Sequence, residues 1–330
     1  VIIATERARR PGNFVDRITD GHDSNGDRCR FCHHEGPVVS MVSRPHHART
    51  EGQPWDVAVV PFQTSFLQTN IEFKRTKHGL YDVMSGFGVH EVVIETPDHV
   101  ANMADLDQAQ IQVVIETYAQ RIHALEKNSY FQFVMVFKNY GEIAGSRNIG
   151  HARSHIVATP VNPLHMKQKL RGTRDYYAAH KACIYCDLIQ EELRQKSRII
   201  LETPHFLAVA PFAARFLFEI WILPKKHSCD FTTGIVGCEE DLAYVLKTLL
   251  VKFKEGLDDP AYNFYLQTAP FRRPDPDYKR WENLDKDFHW HIELMPRLTR
   301  IAGFEKGTGF YISAVPPESM AEYLREIEFK

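Results

Sequence analysis

The run HARSH at residues 151–155 places two histidines and an arginine at alternate positions. Alternate residues of a β-strand point to the same side, so Arg153 and His155 would share one face, about 6 to 7 Å apart along the strand. Arginine stays protonated, so it can bind a phosphate but cannot attack phosphorus. Histidine can act as a nucleophile or as a general base. The run therefore contains the residue types that chemistry on a phosphate requires.

Two Cys-x-x-Cys pairs contain four of the six cysteines of the chain, Cys29 with Cys32 and Cys183 with Cys186. Six cysteines are too few for a disulfide framework in 330 residues, and neither pair lies between a strand and the start of a helix, as a redox motif would. A Cys-x-x-Cys turn supplies two of the four ligands of a tetrahedral zinc ion. Metal binding is therefore favoured over the alternative of ordinary buried cysteines.

The two cysteine pairs belong to an internal repeat of about half the chain. After them come QPWDVAVVPFQTSF in the first half and TPHFLAVAPFAARF in the second, and then HEVVIETPDH (90–99) and FEIWILPKKH (218–227), which align without gaps. Each half continues with an amphipathic helical stretch and an apolar strand. Each ends in a histidine-bearing strand, HARSHIVATP or HWHIELMPRL. The shared order of these segments indicates a duplication.

The repeat also supplies the remaining zinc ligands, because histidines occupy equivalent positions in both halves. We predict two zinc sites, the first formed by Cys29, Cys32, His99 and His151, and the second by Cys183, Cys186, His227 and His289. Four protein ligands leave no open position for water, which is typical of structural zinc. Histidines at 33 and 34 are possible competing ligands of the first site.

The pattern of elements predicts the fold class and the domain organisation. Each half is expected to form antiparallel strands with one long helix, an α+β unit. We predict one repeat over residues 1–165 and a second over 166–330, with a polar, basic connector around 164–180. The two units could still share one core.

Charge and hydropathy exclude several classes of protein. Lys and Arg total 40 against 42 for Asp and Glu, a net charge of -2, so no global field favours nucleic acid or an anionic membrane. Phosphate recognition must then be local. No apolar run approaches the length of about 20 residues that a membrane helix needs, and the first residues lack a signal-peptide pattern. We expect a soluble, cytoplasmic protein.

A resemblance to the galactose-1-phosphate uridylyltransferase family of the histidine-triad superfamily is carried by seven segments: RCRFC, GVHEVVIETPDH, VFKNYGEIAGS, HARSHIVATP, ACIYCDLIQEE, PFAARFLFEIWILPKKH and FHWHIELMPRLTRIAGFEKGTGFYI. That family is related to ADP-glucose and diadenosine tetraphosphate phosphorylases and to adenylylsulfate:phosphate adenylyltransferase. The resemblance covers nearly the whole chain. It implies a duplicated histidine-triad-like fold, zinc at the Cys, Cys, His, His positions, frequent dimerisation and two-step transfer of a nucleoside monophosphate.

The HARSH strand departs from the pattern of that family, which reads His-Pro-His-x-Gln. There the first histidine binds metal, the middle one attacks the α-phosphorus and the glutamine contacts phosphate oxygens. The resemblance places His151, Arg153 and His155 at these three positions. Because arginine cannot attack phosphorus, we predict that Arg153 binds phosphate and that His155 is the nucleophile or general base. His291, followed by Glu293 in the second half, is an alternative nucleophile.

The nucleotide- or phosphate-binding candidates are Asn139 and Gly141, which match family positions near the phosphates, together with Arg147 near the HARSH strand, Phe62 and Glu293. Asn139 and Gly141 could equally form a turn at a strand end, and Arg147 could be a solvated loop charge. Phe62 stands where the family often has an asparagine, which leaves the choice between uridine and adenosine open.

These features predict a nucleotidyltransferase or phosphorylase that moves UMP or AMP between phosphate-containing substrates such as nucleotide sugars, assembled as a homodimer. The alternative is a catalytically silent, zinc-containing nucleotide-binding or regulatory protein, because Arg153 holds the usual nucleophile position. Turnover that is lost in His155→Ala distinguishes the two. Nucleic-acid binding through zinc knuckles is disfavoured by the near-neutral charge.

Overall fold

The computed structural model describes residues 29–32, 34, 36–43, 55–146, 150–273 and 281–328. Its strands are β1 (Ser40–Val42), β2 (Val57–Pro61), β3 (Arg75–His78), β4 (Tyr81–Met84), β5 (Val89–Ile94), β6 (Phe133–Tyr140), β7 (Arg153–Thr159), β8 (Ile199–Glu202), β9 (Phe206–Val209), β10 (Ile220–Pro224), β11 (Tyr262–Gln267) and β12 (His291–Pro296). Its helices are α1 (Gln108–Glu126), α2 (Leu164–His180), α3 (Ile184–Gln195), α4 (Phe231–Gly234), α5 (Glu239–Gly256), α6 (Leu284–Asp287), α7 (Gly303–Thr308) and α8 (Pro317–Glu326). A short 3₁₀ helix spans Met103–Asp105.

The duplication is visible in a ten-stranded sheet whose order is β1-β2-β5-β7-β6-β11-β12-β10-β9-β8. Each half contributes five strands, and the second set repeats the order of the first from the opposite edge. The halves meet where β6 pairs with β11 in antiparallel fashion, with Val136 opposite Leu266 and Asn139 opposite Asn263. The predicted duplicated α+β fold is confirmed, and the two halves share one sheet. β3 and β4 form a separate hairpin.

One face of the sheet is covered by the two long helices, α1 and α5, one from each half. The apolar side chains of both helices join those of the strands in one continuous buried cluster. α1 begins after Asp107, whose side chain accepts a hydrogen bond from the Gln110 amide, a typical N-cap. The hydroxyl of Tyr118 donates to Oγ of Ser154 at 2.7 Å, which ties α1 to β7. The alternate side chains of β7, Arg153 and His155, therefore point to the opposite, open face.

The predicted connector is helical, since α2 runs from Leu164 to His180. Its apolar residues Met166 and Leu170 pack against Phe133 of β6 and Phe288, on the open face of the sheet. α2 thus covers part of this face near the junction of the two halves. In the described part of the chain, no helix combines the length and the apolar character needed to cross a membrane.

Candidate active site and metal centres

The first predicted zinc ligand set converges in space. Nδ1 of His151 lies 3.5 Å from Sγ of Cys29 and 3.4 Å from Sγ of Cys32, and Nδ1 of His99 lies 3.3 Å from Sγ of Cys32. The four ligand atoms all lie within 4.8 Å of one another. Zinc bonds of about 2.3 Å to sulfur and about 2.0 Å to nitrogen place tetrahedral neighbours roughly 3.5 Å apart. The four side chains therefore fit a zinc ion.

The second ligand set has the same geometry. Sγ of Cys186 lies 3.3 Å from Nδ1 of His227 and 3.7 Å from Nδ1 of His289. Cys183 completes the group, again with all ligand atoms within 4.8 Å. Both predicted sets can thus hold a metal ion.

The backbone orients equivalent histidines of the two clusters in the same way. Nε2 of His151 lies 2.9 Å from the carbonyl oxygen of Thr96, and Nε2 of His289 lies 2.9 Å from that of Pro224. Thr96 and Pro224 are equivalent in the ungapped alignment of the repeat. With Nε2–H donated to a carbonyl, Nδ1 keeps its lone pair for the metal. The repeat therefore includes the contacts that orient the ligands.

His155 lies on the open face of β7, between aromatic rings. Phe137 stacks on it with ring centroids 5.0 Å apart and an angle of 13°. Nδ1 of His155 lies 3.1 Å from Nε2 of His90 on β5. Burial, followed by the charges of His90 and Arg153, lowers the pKa of His155 to about 3. His155 is therefore a neutral imidazole near pH 7, and within the described residues its hydrogen-bond partner is at Nδ1.

Arg153 lies beside the first metal cluster. Its guanidinium donates to the carbonyl oxygen of His151 at 3.1 Å and to Oγ of Ser146 at 2.8 Å. It also lies over the ring of Phe31, 5.7 Å from the centroid. Burial, followed by the charge of Arg30, lowers the pKa of Arg153 to about 10, so the side chain remains cationic at neutral pH. The site thus holds a fixed positive charge next to a neutral imidazole.

Asn139 and Gly141 build the loop that brings Ser146 to Arg153. Gly141 has φ of +78°, and a Cβ there would lie 2.6 Å from Cβ of Ala261, so this turn requires glycine. The amide of Asn263 donates to Oδ1 of Asn139 and to the carbonyl oxygen of Ala144, each at 2.9 Å. Arg147, the third candidate of this segment, lies outside the described residues.

Phe62 closes the site on the side of β2. Its ring lies 4.5 Å from that of His90 and 5.5 Å from that of His155. A small cleft adjoins it, lined by Arg30, Phe31, His34, Val60, Pro61, Phe62, Gln63 and Val92. Val92 is also the cross-strand partner of His155. The cleft is mostly apolar and opens beside the candidate catalytic residue.

His291 and Glu293 occupy a different environment in the second half. Nδ1 of His291 donates to the carbonyl oxygen of His289 at 2.9 Å, and Nε2 lies 3.0 Å from Nζ of Lys169 on α2. Glu293 forms ion pairs with Lys169 and with Arg215, the latter at 2.6 Å. Both ring nitrogens of His291 therefore have partners within the protein.

Sequence reasoning missed His90 and Lys169, because each contacts its histidine across a long interval of sequence. His90 opens the repeat segment HEVVIETPDH, whose alignment with the second half gives no chemistry to this residue, and only the pairing of β5 with β7 brings it to His155. Lys169 lies in the segment that was interpreted as a connector. Sequence reasoning likewise gave no sign of the buried ion pair between Lys138 and Glu95, in which Nζ lies 2.6 Å from Oε2. Lys138 also donates to the carbonyl oxygen of Arg153.

Residues 45–163 match the N-terminal domain of galactose-1-phosphate uridyl transferase, and residues 169–309 match its C-terminal domain. The chain belongs to the galactose-1-phosphate uridylyltransferase family. The predicted family is therefore confirmed, and so is the prediction of an enzyme of the nucleotidyltransferase class.

Relatives within the family differ in the substrates that their names give. ADP-glucose phosphorylase of Arabidopsis thaliana is 33% identical over 99% of this chain and 90% of its own length. Galactose-1-phosphate uridylyltransferase of Thermotoga maritima is 30% identical over 73% of this chain and 74% of its own. The crystal structure of the A. thaliana ADP-glucose phosphorylase with bound ADP-glucose superimposes with a TM-score of 0.77 at 33% identity, covering 95% of this chain and 93% of the other.

Proposed function

We propose that this chain transfers a nucleoside monophosphate from a nucleotide sugar to a phosphate acceptor, with His155 as the nucleophile and Arg153 as the phosphate-binding cation. One observation carries the proposal: His155 and the anchored guanidinium of Arg153 lie on the same face of β7, where burial lowers the pKa of His155 and so favours the neutral imidazole. A neutral imidazole has the lone pair that attack on phosphorus needs, and the adjacent cation can stabilise the charge that develops on the phosphate oxygens.

The reaction proceeds in two displacements. The lone pair on Nε2 of His155 forms a bond to the α-phosphorus while the bond from that phosphorus to the bridging oxygen breaks. The sugar phosphate leaves with the electron pair, and His155 carries the nucleoside monophosphate as an adduct in which the positive charge of the ring is balanced by the negative phosphoryl oxygen. An oxygen of the acceptor phosphate then attacks the α-phosphorus, and His155 leaves as a neutral imidazole.

We propose His155 rather than His291 as the nucleophile because of their partners. Nε2 of His291 accepts a hydrogen bond from Lys169, so its lone pair is occupied. Substrate would also have to displace the ion pairs of Glu293, which are buried in the same cluster. Among the described residues, His155 has a hydrogen-bond partner at Nδ1 only, which leaves Nε2 for the substrate.

We propose ADP-sugars as the first substrates to test. The support is the ADP-glucose phosphorylase of A. thaliana, which is 33% identical over 99% of this chain. The base would contact Phe62, whose ring lies beside that of His155. UDP-sugars are the second candidates, because uridylyltransferases are also relatives.

We further propose that both Cys₂His₂ clusters bind structural zinc, and that residues 1–165 carry the active site while 166–330 complete the shared sheet. The first zinc would hold His151 at the start of the strand that bears Arg153 and His155, and so contribute rigidity rather than chemistry. We propose a homodimer as the assembled form.

The test is the intact mass of the protein after brief incubation with ADP-glucose or UDP-glucose, together with phosphate-dependent turnover of each. A mass increase of one nucleoside monophosphate supports the covalent route. Turnover without an adduct supports direct transfer with His155 as general base. Binding of nucleotides with neither signal supports the silent nucleotide-binding protein and overturns the proposal.

A further inference from the structure

His90 and His155 form a buried histidine pair whose members lie on neighbouring strands. Nε2 of His90 is 3.1 Å from Nδ1 of His155, and the ring centroids are 5.2 Å apart at an angle of 58°. Phenylalanines hold both rings. Phe62 and Phe66 pack on His90 with centroids 4.5 Å and 5.4 Å away, while Phe137 stacks on His155. Both rings of the pair are therefore packed against aromatic neighbours.

We propose that His90 is a positioning residue whose Nε2 accepts a hydrogen bond from the Nδ1–H of His155, and so keeps the lone pair of His155 on Nε2, toward the substrate. This inference rests on the proposed role of His155. It adds a second residue, which nothing in the family resemblance identified.

The pair has two tautomeric arrangements, because one hydrogen lies between the two nitrogens. If Nδ1 of His155 carries it, Nε2 of His155 has a lone pair and can attack phosphorus. If Nε2 of His90 carries it, His155 is protonated on Nε2 and cannot attack. The proposal requires the first arrangement, in which the single ring proton of neutral His90 is on its Nδ1.

The contact also matters once the adduct forms. Bonding of Nε2 to phosphorus leaves a positive charge on the ring of His155, and the charges of Arg153, Lys138 and Arg30 oppose that charge. The Nδ1–H remains in place, and its hydrogen bond to the neutral ring of His90 becomes charge-assisted, hence stronger. The negative phosphate of the substrate supplies the remaining compensation. No proton leaves the pair, and His155 returns to its starting tautomer when the acceptor attacks.

Packing alone does not call for a histidine at this position. Its aromatic neighbours are phenylalanines, and in the aligned second half the equivalent position is Phe218. There His291 donates its Nδ1 proton to a backbone carbonyl oxygen instead. The histidine pair is therefore a feature of the half that bears the candidate active site.

The variants that test this role are His90→Phe and His90→Gln. Phenylalanine keeps the ring but offers no acceptor, whereas the glutamine oxygen can take the place of Nε2. We expect His90→Phe to lower kcat about 10- to 100-fold with little change in KM, the size of effect found for residues that orient metal-ligating histidines. His90→Gln should restore most of kcat. Metal content and circular dichroism check that each variant folds. Equal kcat in wild type and a folded His90→Phe would overturn the role.

A readout that does not depend on activity is the ¹⁵N chemical shift of the two ring nitrogens of His155. In the wild type we expect Nδ1 protonated and Nε2 unprotonated, with the ratio shifting in His90→Phe and recovering in His90→Gln. Protonation of Nε2 in the wild type rejects the inference whether or not the protein is active. If the wild type shows the expected tautomer but turns over no nucleotide, the positioning role of His90 is upheld and the proposed function is rejected.

Discussion

Lys169 of α2 donates a hydrogen bond at 3.0 Å to Nε2 of His291, the histidine that stands in the second half where Arg153 stands in the first. The same lysine forms an ion pair with Glu293. The second half therefore fills with its own side chains the position at which a substrate phosphate would have to approach the ring. In the first half the corresponding face carries His155, whose hydrogen-bond partner within the described part of the chain is at Nδ1 and not at Nε2.

This difference predicts opposite results for the two histidines. His155→Ala should lower turnover of the nucleotide sugar by about 10³-fold or more, as expected when a nucleophile is removed. His291→Gln should change kcat by less than about threefold. The thermal stability of this variant should fall, because a buried hydrogen bond is weakened. Steady-state kinetics and thermal unfolding measure both effects. Full activity in His155→Ala with loss in His291→Gln would move the active site to the second half.

Arg153 should act mainly on the transition state. Arg153→Met is expected to lower kcat about 10²- to 10³-fold, the effect of removing one preorganised donor to a developing charge. Arg153→Lys should be intermediate, because an ammonium lacks the planar guanidinium fork. The matched control is Ser146→Ala, which removes the 2.8 Å anchor of the guanidinium and keeps its charge. If Ser146→Ala lowers kcat as much as Arg153→Met does, the effect comes from loop structure rather than from the cation.

The rate of adduct formation should not depend on pH between about 5 and 8. Only neutral His155 can react, and its pKa is held near 3 by burial and by the neighbouring positive charges, so it stays neutral throughout this range. A histidine with the ordinary pKa of about 6.5 would instead lose reactivity about tenfold per unit below that pH. The free energy of folding depends on the same pKa. The unfolded chain takes up a proton on His155 below about pH 6.5 and the folded chain does not, so this residue makes folding less favourable as pH falls from 6.5 toward 3. Single-turnover formation of the adduct, measured without acceptor, tests the predicted pH-independence of the rate. A fall in rate on the acidic side, centred near pH 6.5, would contradict the prediction.

Elemental analysis should find two zinc ions per chain. Cys29→Ser and Cys183→Ser should each lose one, since each removes a ligand from a different cluster. Cys238→Ser is the matched control and should keep both, because Cys238 lies outside both ligand sets. Loss of both ions in either ligand variant would mean that the clusters are not independent. Fewer than two in the wild type would count against the ligand sets.

The proposed homodimer can be tested at an exposed apolar segment near the end of the described chain. Phe310 and Ile312 are each 68% exposed, an unusual density of apolar surface. Phe310→Ser combined with Ile312→Ser should shift the sedimentation coefficient from dimer to monomer. Leu80→Ser is the control, because this fully exposed side chain lies at the turn of the separate β3–β4 hairpin. A wild-type monomer at micromolar concentration would contradict the proposal.

The amino-acid sequence by itself determined the family, the duplication and the two sets of metal ligands. Cys29 with Cys32 and Cys183 with Cys186 are local pairs, and the repeat located the histidines because both halves keep the same order of segments. Such features depend on spacing along the chain, which can be read without knowing which strands are neighbours. Arg153 and His155 were placed on one face by strand alternation alone.

Only the tertiary structure decided which side chains surround the reactive groups. His90 meets His155 across 65 residues, and Lys169 meets His291 across 122. Each contact depends on strand order, register and the path of α2 over the open face, which periodicity does not encode. The joining of both halves into one sheet through β6 and β11 is likewise a pairing between distant strands. Neutral His155 and occupied His291 follow from these long-range neighbours, because burial and nearby charges set the pKa of an imidazole and the direction of its lone pair.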